Sequence, residues 1–351
     1  DADIWRYFAS IGFPAETHVR RVLDVLAEAD GPLSLAALEP RVELRRTRLE
    51  LMLKVLDVDG AVQRVRGGWV ATGVPWEYDG ERYTRVAETR RAEQQAMRQY
   101  ITGSECRMEF LRRALDDPDA EPCGRCDNCA GPFYPVDVPD TAAASARKAL
   151  DRPGVPLEPR SQWPTAMASL GIDVRGRIAA DERAEPGRAL ARLTDLGWGE
   201  RLRGLLGPDA PDGEVPEPVV SAVVEVLRAW EWEQRPGAVL AMPSRHRPLL
   251  VRSLATRIAE IGQLRLLGSL ELAPGRDTGE RGGNSAYRLA AVWDAFTVPP
   301  AVADGLGEIR KSPVLLVDDL ADTRWTLTVA ARALRLAGAP SVLPLVLAID
   351  G

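Results

Sequence analysis

The sequence predicts a multidomain α+β protein, and three observations carry that expectation. All four cysteines of the 351 residues fall between Cys106 and Cys129. Ahead of them, three short stretches with apolar residues at helical spacing lead into an alternating segment broken by Gly67-Gly68. Beyond residue 213, apolar runs of strand length alternate with amphipathic stretches of helix length, the pattern of a parallel sheet with crossover helices. A chain of this length exceeds one ordinary domain, so two or three are expected.

The first stretch, residues 18–85, carries Val19, Val22, Leu23 and Leu26 at helical spacing. Leu33-Ser-Leu-Ala-Ala-Leu38 predicts a second, short helix with Ser34 as its cap. Arg46 to Leu56 predicts a third, with Leu49, Met52, Leu53 and Leu56 on one face. The run from Ala61 to Thr72 alternates around Gly67-Gly68, a two-residue hairpin signal. Three helices followed by a β-hairpin is the winged-helix plan. In that plan the third helix enters the major groove and the wing touches the backbone. Arg45, Arg46 and Arg48 would open the helix, and Arg64 and Arg66 would sit on the wing. The same arrangement also serves protein contacts with ordinary surface arginines, and both readings stay open here.

The cysteines are spaced C-x16-C-x2-C-x2-C, as Cys106, Cys123, Cys126 and Cys129. Four thiolates complete a tetrahedral zinc at ~2.3 Å and leave no position for water, so the expected ion is structural. It would fix a segment with too little apolar mass to fold alone. Two disulfides are the competing reading, which a cytoplasmic setting disfavours. A redox C-x-x-C is another, and it leaves two nearby cysteines unexplained. Residues 86–115 read as a helical run into the cluster, with Val86, Met97, Ile101, Met108, Leu111 and Leu115 as its apolar stripe. Between residues 82 and 113 eight arginines, Arg107 among them, face four glutamates. That is a local footprint for phosphates, or a solvated helix face.

Gln95-Ala-Met-Arg-Gln-Tyr-Ile101, Cys106-Arg107, Phe110-Leu111 and Pro122-Cys-Gly-Arg-Cys-Asp-Asn-Cys129 together resemble the zinc-binding module of RecQ-family DNA helicases. Asp3-Ile4-Trp5 through Phe8 resembles the end of the motor core in that family. The resemblance implies the non-motor portion of an ATP-dependent 3′-to-5′ DNA helicase of the DNA-repair class. Its partners would be DNA (duplex, tailed duplex or junction) and a motor core in the same parent chain. The sequence departs from the family in placing about seventy residues between the two segments. It also lacks a G-x-x-x-x-G-K-[ST] loop, so the ATPase motor is not in these residues.

Charge and composition agree with this frame. A net charge of -6 argues against a protein that coats nucleic acid over its whole surface, and leaves room for a local basic face. No apolar run approaches the ~20 residues of a membrane span, and the acidic start is no signal peptide. The expectation is a cytoplasmic, nucleoid-associated bacterial protein without a membrane partner. The missing initiator Met predicts a piece of something longer.

After a proline-rich linker, residues 160–206 form a compact segment to which no chemistry attaches; Trp163 and Trp198 suit base stacking or, more simply, burial. Gly207 to Pro218 is rich in proline and acids and reads as a boundary. Beyond it come helix 219–232, strand 238–242, helix 248–261, strand 264–272, strand 314–317, helix 326–337 and strand 342–349. Ligands of such sheets bind beyond the carboxyl ends of the strands. There Asp318-Asp-Leu-Ala-Asp-Thr-Arg-Trp-Thr-Leu-Thr328 opens a helix. Paired carboxylates suit ribose hydroxyls or Mg²⁺, and a helix start suits phosphate.

That run is similar to the phosphoribosyl-pyrophosphate signature of type I phosphoribosyltransferases. The resemblance implies a ligand loop of Asp318, Asp319, Asp322, Thr323, Arg324 and Thr326. It also implies a pyrophosphate loop at Pro243–Pro248 with Ser244 and Arg245, and a catalytic hood over Arg276–Tyr287. Mg²⁺ with a phosphoribosyl or nucleotide ligand is the implied cofactor. Arg324-Trp325 departs from the family, which has small residues there, often glycine; a backbone wrapping a phosphate tolerates a long side chain poorly. The domain is therefore read as a ligand site, an active phosphoribosyltransferase localised by its DNA-binding neighbours, a nucleotide-sensing regulatory scaffold or a degenerate partner surface. The predicted layout is 1–17 end of the helicase core, 18–85 winged helix, 86–132 four-cysteine zinc-binding helical module, 133–212 linker and small module, and 213–351 α/β phosphoribosyltransferase-like domain.

Overall fold

The computed structural model describes residues 4–5, 15–135, 137–165, 167–276, 284–309 and 312–350. These form two compact units, one of residues 1–34 and 47–143, the other of residues 35–46 and 144–351.

In the first unit, α1 (Glu16–Ala27) buries Val19, Val22, Val25 and Leu26, and α3 (Arg46–Val58) buries Leu49, Met52, Leu53 and Leu56. Both sets follow the 3.6-residue period, which puts them on one stripe of each helix. Strands β1 (Val62–Val65) and β2 (Gly68–Ala71) form an antiparallel hairpin closing at Val65 and Gly68. The hairpin is held down by Leu33, whose N–H and carbonyl both bond to Trp69. A Cβ on Gly68 would lie 2.1 Å from the Leu33 carbonyl oxygen, so only glycine fits that close approach. The chain then enters α4 (Gly80–Thr102), capped by Asp79, whose carboxylate accepts from the Arg82 N–H.

The helical run expected over 86–115 is interrupted. α4 ends at Thr102, and α5 (Arg107–Ala114) begins after Cys106. The expected apolar stripe does not form a core: Met97, Ile101, Met108, Leu111 and Leu115 are all exposed. Cys106 stands in that break as the residue before α5, at ψ 125, outside helical geometry. A single turn, α6 (Asp127–Ala130), follows the last three cysteines, and α7 (Asp140–Leu150) leads into the second unit.

The second unit takes in α2 (Leu35–Leu38) and the 3₁₀ turn Glu39–Arg41, because Asn284 donates to the Glu39 and Val42 carbonyls. Its frame is a six-stranded sheet of β3 (Val155–Leu157), β4 (Gly187–Arg192), β5 (Ala238–Ala241), β6 (Arg265–Ser269), β9 (Val314–Ala321) and β10 (Val342–Ile349). The order is β3-β4-β10-β9-β5-β6, parallel except for β3. A side pair, β7 (Glu271–Leu272) and β8 (Phe296–Thr297), is antiparallel. Alternate residues of β9 enter two separate cores. Val314 and Leu316 join Leu289, Trp325 and Ala330; Leu315 and Val317 join Leu202, Val223 and Leu254. The helices carrying those residues are α8 (Trp198–Leu206), α9 (Glu217–Ala229) and α10 (Pro248–Gly262) on one face. On the other lie α11 (Ser285–Val292), α12 (Pro300–Glu308) and α13 (Trp325–Leu336). Both faces are covered, as parallel sheets require.

Two expectations are corrected here. The boundary at 212–213 does not hold, because β3 and β4 from the expected linker region belong to the same sheet as the C-terminal strands. Their brevity and the prolines around them hid them; pairing to the long β10 supplies what local pattern lacked. The strand expected at 314–317 runs on to Ala321, since β10 continues to pair with it through Ala348 and Ile349. Asp318 and Asp319 therefore stand within a strand, not in the loop beyond it. Most of residues 1–17, and residues 277–283 of the expected hood, lie outside the described residues.

Candidate functional site

The cysteines converge. The four sulfurs of Cys106, Cys123, Cys126 and Cys129 lie within 4.8 Å of one another, and among the described residues no other group of His, Cys, Asp or Glu offers a comparable set. Tetrahedral zinc with ~2.3 Å bonds needs sulfurs about 3.8 Å apart; Cys106 and Cys126 are at 3.9 Å. Two backbone N–H groups point at sulfur, from Cys123 to Cys106 at 3.1 Å and from Arg107 to Cys126 at 3.4 Å. Gly124, at φ 69, makes the left-handed turn between Cys123 and Cys126. The hydrogen bond from the Cys123 backbone, followed by that from Glu109, draws the Cys106 thiol down to about 6. Its bond with Cys126, then burial, holds the proton on Cys129 up to about 12. Four crowded thiols shed their last proton reluctantly unless a cation sits among them. The donor set fits zinc and leaves no position for substrate.

The surrounding contacts orient these ligands. Arg107 grips Asp127 through Nε at 3.1 Å and Nη2 at 3.3 Å, donates to the Tyr100 carbonyl, and lies 5.3 Å from the Tyr100 ring centroid. The Asn128 amide donates to the Gly103 and Glu105 carbonyls. Arg107, expected to contact DNA, thus has its guanidinium committed to bracing the centre. Among the other DNA candidates, Arg45, Arg46, Arg64 and Arg66 are exposed and Arg48 is half-buried. Arg64 lies 6.0 Å from the Trp69 ring centroid.

The second site is a cavity of about 580 Å³ at the carboxyl ends of β5 and β9. From β5 the chain continues to β6 on one side, and from β9 to β10 on the other, so the crevice opens where the connection order reverses. β5 pairs with β9 only as far as Val317, which leaves Asp318 and Asp319 projecting past its end. Ser244, Arg245, Asp318, Asp319 and Thr326 all line the cavity. Asp322, Thr323 and Arg324 do not. Instead Arg160 donates to the Thr323 carbonyl at 2.8 Å and Arg324 donates to the Glu158 carbonyl at 3.0 Å. Trp325 is fully buried, stacked on Trp163 at 6.0 Å with the Arg160 guanidinium 5.0 Å from its ring centroid. The turn that would wrap a phosphate is therefore packed against residues 158–163.

Sequence reasoning missed Arg247 and Arg288. Arg247, 4% exposed, has Nη1 3.7 Å from an Asp319 oxygen, and its Nη2 donates to the Gly207 carbonyl at 2.6 Å. Its Nε is buried without a partner among the described residues. Arg288 donates to the Thr326 hydroxyl at 3.2 Å. Only the Arg-Pro start of α10 hinted at the first, and nothing local distinguished the second. The Pro-rich stretch read as a domain boundary forms a wall of this cavity through Pro208 and Ala210. Trp163 and Trp198 are both buried, so the simpler reading of those rings holds.

Residues 76–130 match the RecQ zinc-binding family model. No curated protein matches the chain. Together with the four converged sulfurs, the match supports a structural-zinc module of RecQ type at residues 76–130.

Proposed function

We propose that this chain is the accessory region of a RecQ-like 3′-to-5′ DNA helicase that engages DNA through a winged helix and the zinc module. The observation that carries the reading is the four-sulfur cluster inside a stretch of RecQ zinc-binding type. Helices α1 and α3 followed by the β1–β2 hairpin, all in the first unit, support the winged-helix part. Exposed arginines on the third helix and hairpin provide the charge such binding needs. The test is anisotropy titration of a tailed duplex against salt. Replacing Arg46, Arg48 and Arg66 by Glu should weaken binding and lower the salt slope by about one per lost phosphate contact. Unchanged binding would sink the proposal.

A second reading concerns the α/β unit, and the cavity at its switch point supports it. The acid pair and the arginines around it suit a phosphate-bearing ligand, phosphoribosyl pyrophosphate or a nucleotide. The packing of Trp325 and Arg324 away from the cavity favours binding over group transfer, hence a nucleotide-sensing element attached to a helicase.

A further inference from the structure

The sheet-edge cavity raises a question of charge. Two adjacent carboxylates lining a cavity repel a phosphate, and a divalent cation is the usual bridge between them. In this chain a guanidinium already stands at one of the two. Nη1 of Arg247 is 3.7 Å from Oδ2 of Asp319, with both side chains less than a tenth exposed. The Ser244 hydroxyl donates to the same oxygen at 3.3 Å and accepts from the Arg247 N–H at 3.1 Å. Oδ1 of Asp318 in turn accepts from the Asp319 N–H at 2.9 Å. A cation entering between the carboxylates would have to displace these donors and sit against a fixed positive charge that the Gly207 carbonyl anchors from behind.

We infer that Arg247 takes the place of the metal, making the cavity a diphosphate site that works without a divalent cation. Three guanidinium groups, Arg245, Arg247 and Arg288, line it against two carboxylates, so the empty cavity is already net positive. They come from two sides, the loop after β5 and the helix α11, which suits an anion with two phosphate groups rather than one. Space is ample, since about 580 Å³ holds a diphosphate with a sugar attached. This inference rests on the phosphate-ligand reading and specifies its chemistry.

The experiment is calorimetric titration of the whole chain with pyrophosphate, in buffer stripped of divalent ions by resin (so that bound zinc is kept) and again with Mg²⁺ added. The expected result is equal affinity in both. Arg245→Ala, at an exposed position, should weaken binding about tenfold, the loss of a charge-assisted contact, and Arg247→Met should do at least as much. Asp319→Asn should leave binding intact or tighten it, because it removes a like charge. Binding that appears only with Mg²⁺ and vanishes in Asp319→Asn would overturn the inference while leaving a phosphate site. No binding in either buffer would overturn both. Melting curves of each variant separate lost contacts from lost fold, and the exposed Arg245 keeps the test decisive if Arg247→Met does not fold.

Discussion

Trp325 shows how much a single side chain commits. Its ring is 1% exposed, stacks on Trp163 and lies beneath the Arg160 guanidinium, while Trp163 meets Trp293 edge-on at 5.6 Å. Burial and the adjacent Arg324 charge lower the Arg160 pKa, so the cation is held there at a cost that the aromatic face offsets. Trp325→Ala should lower the stability of the α/β unit by about 3–5 kcal/mol, the range for a large aromatic removed from a core. A denaturant melt checks it; a loss well under 1 kcal/mol would show that the cluster is loosely packed. The residue that departs from the phosphoribosyltransferase pattern is thus a core residue. Its neighbour Arg324 takes the left-handed conformation, φ 68, that glycine adopts more cheaply.

At the scale of elements, the two-residue hairpin depends on backbone proximity more than on side chains. Leu33 and Trp69 exchange hydrogen bonds of 3.0 and 2.9 Å, which joins the segment before α2 to β2. Gly68→Ala places a methyl 2.1 Å from the Leu33 oxygen, against backbone that has no rotamer to yield. The expected consequence is loss of that bridge and faster amide exchange at Leu33 and Trp69, with slow exchange persisting in β9 and β10. Unchanged protection at Leu33 would refute the account. The hairpin and the helices around it were legible in the sequence because each is specified locally, by period and by Gly-Gly. β3 and β4 were not, since three and six residues with little alternation become strands only by pairing. The break before Cys106 was equally hidden, because a helical composition continues through it.

At the scale of the molecule, the first unit adds a metal-held segment to its helical core, and the second rests on a two-sided core. Zinc holds residues 103–130, where α5 and α6 bury no residue. The sheet unit has two apolar cores that need no ion. Removing zinc should therefore expose residues 103–130 to protease and leave the thermal transition of the sheet unit in place. The pH dependence has a definite sign. Cys106, depressed to about 6, is a thiolate above that value and gains a proton as pH falls through it. Cys129, raised to about 12, keeps its proton across the neutral range, so zinc must expel it. Zinc affinity then rises with pH through neutrality and falls more steeply below about 6. Chelator-driven release should be faster in acid than at neutral pH, and a flat profile would argue against ionised thiols as ligands.

The sequence by itself determined the zinc ligands, the helices α1, α3, α9, α10 and α13, and the acid pair. Each of these is written in the spacing of a few neighbouring residues, and cysteine spacing or helical period survives without knowledge of the fold. Only the tertiary structure decided that the proline-rich stretch at 207–218, through Pro208 and Ala210, is a wall and no boundary. The same holds for the Arg247–Asp319 contact and for Trp325 pointing into a core. Those depend on partners 40 to 162 positions away (Gly207, Asp319, Trp163). Burial and charge pairing act through space, and a linear pattern carries no record of which distant side chain arrives.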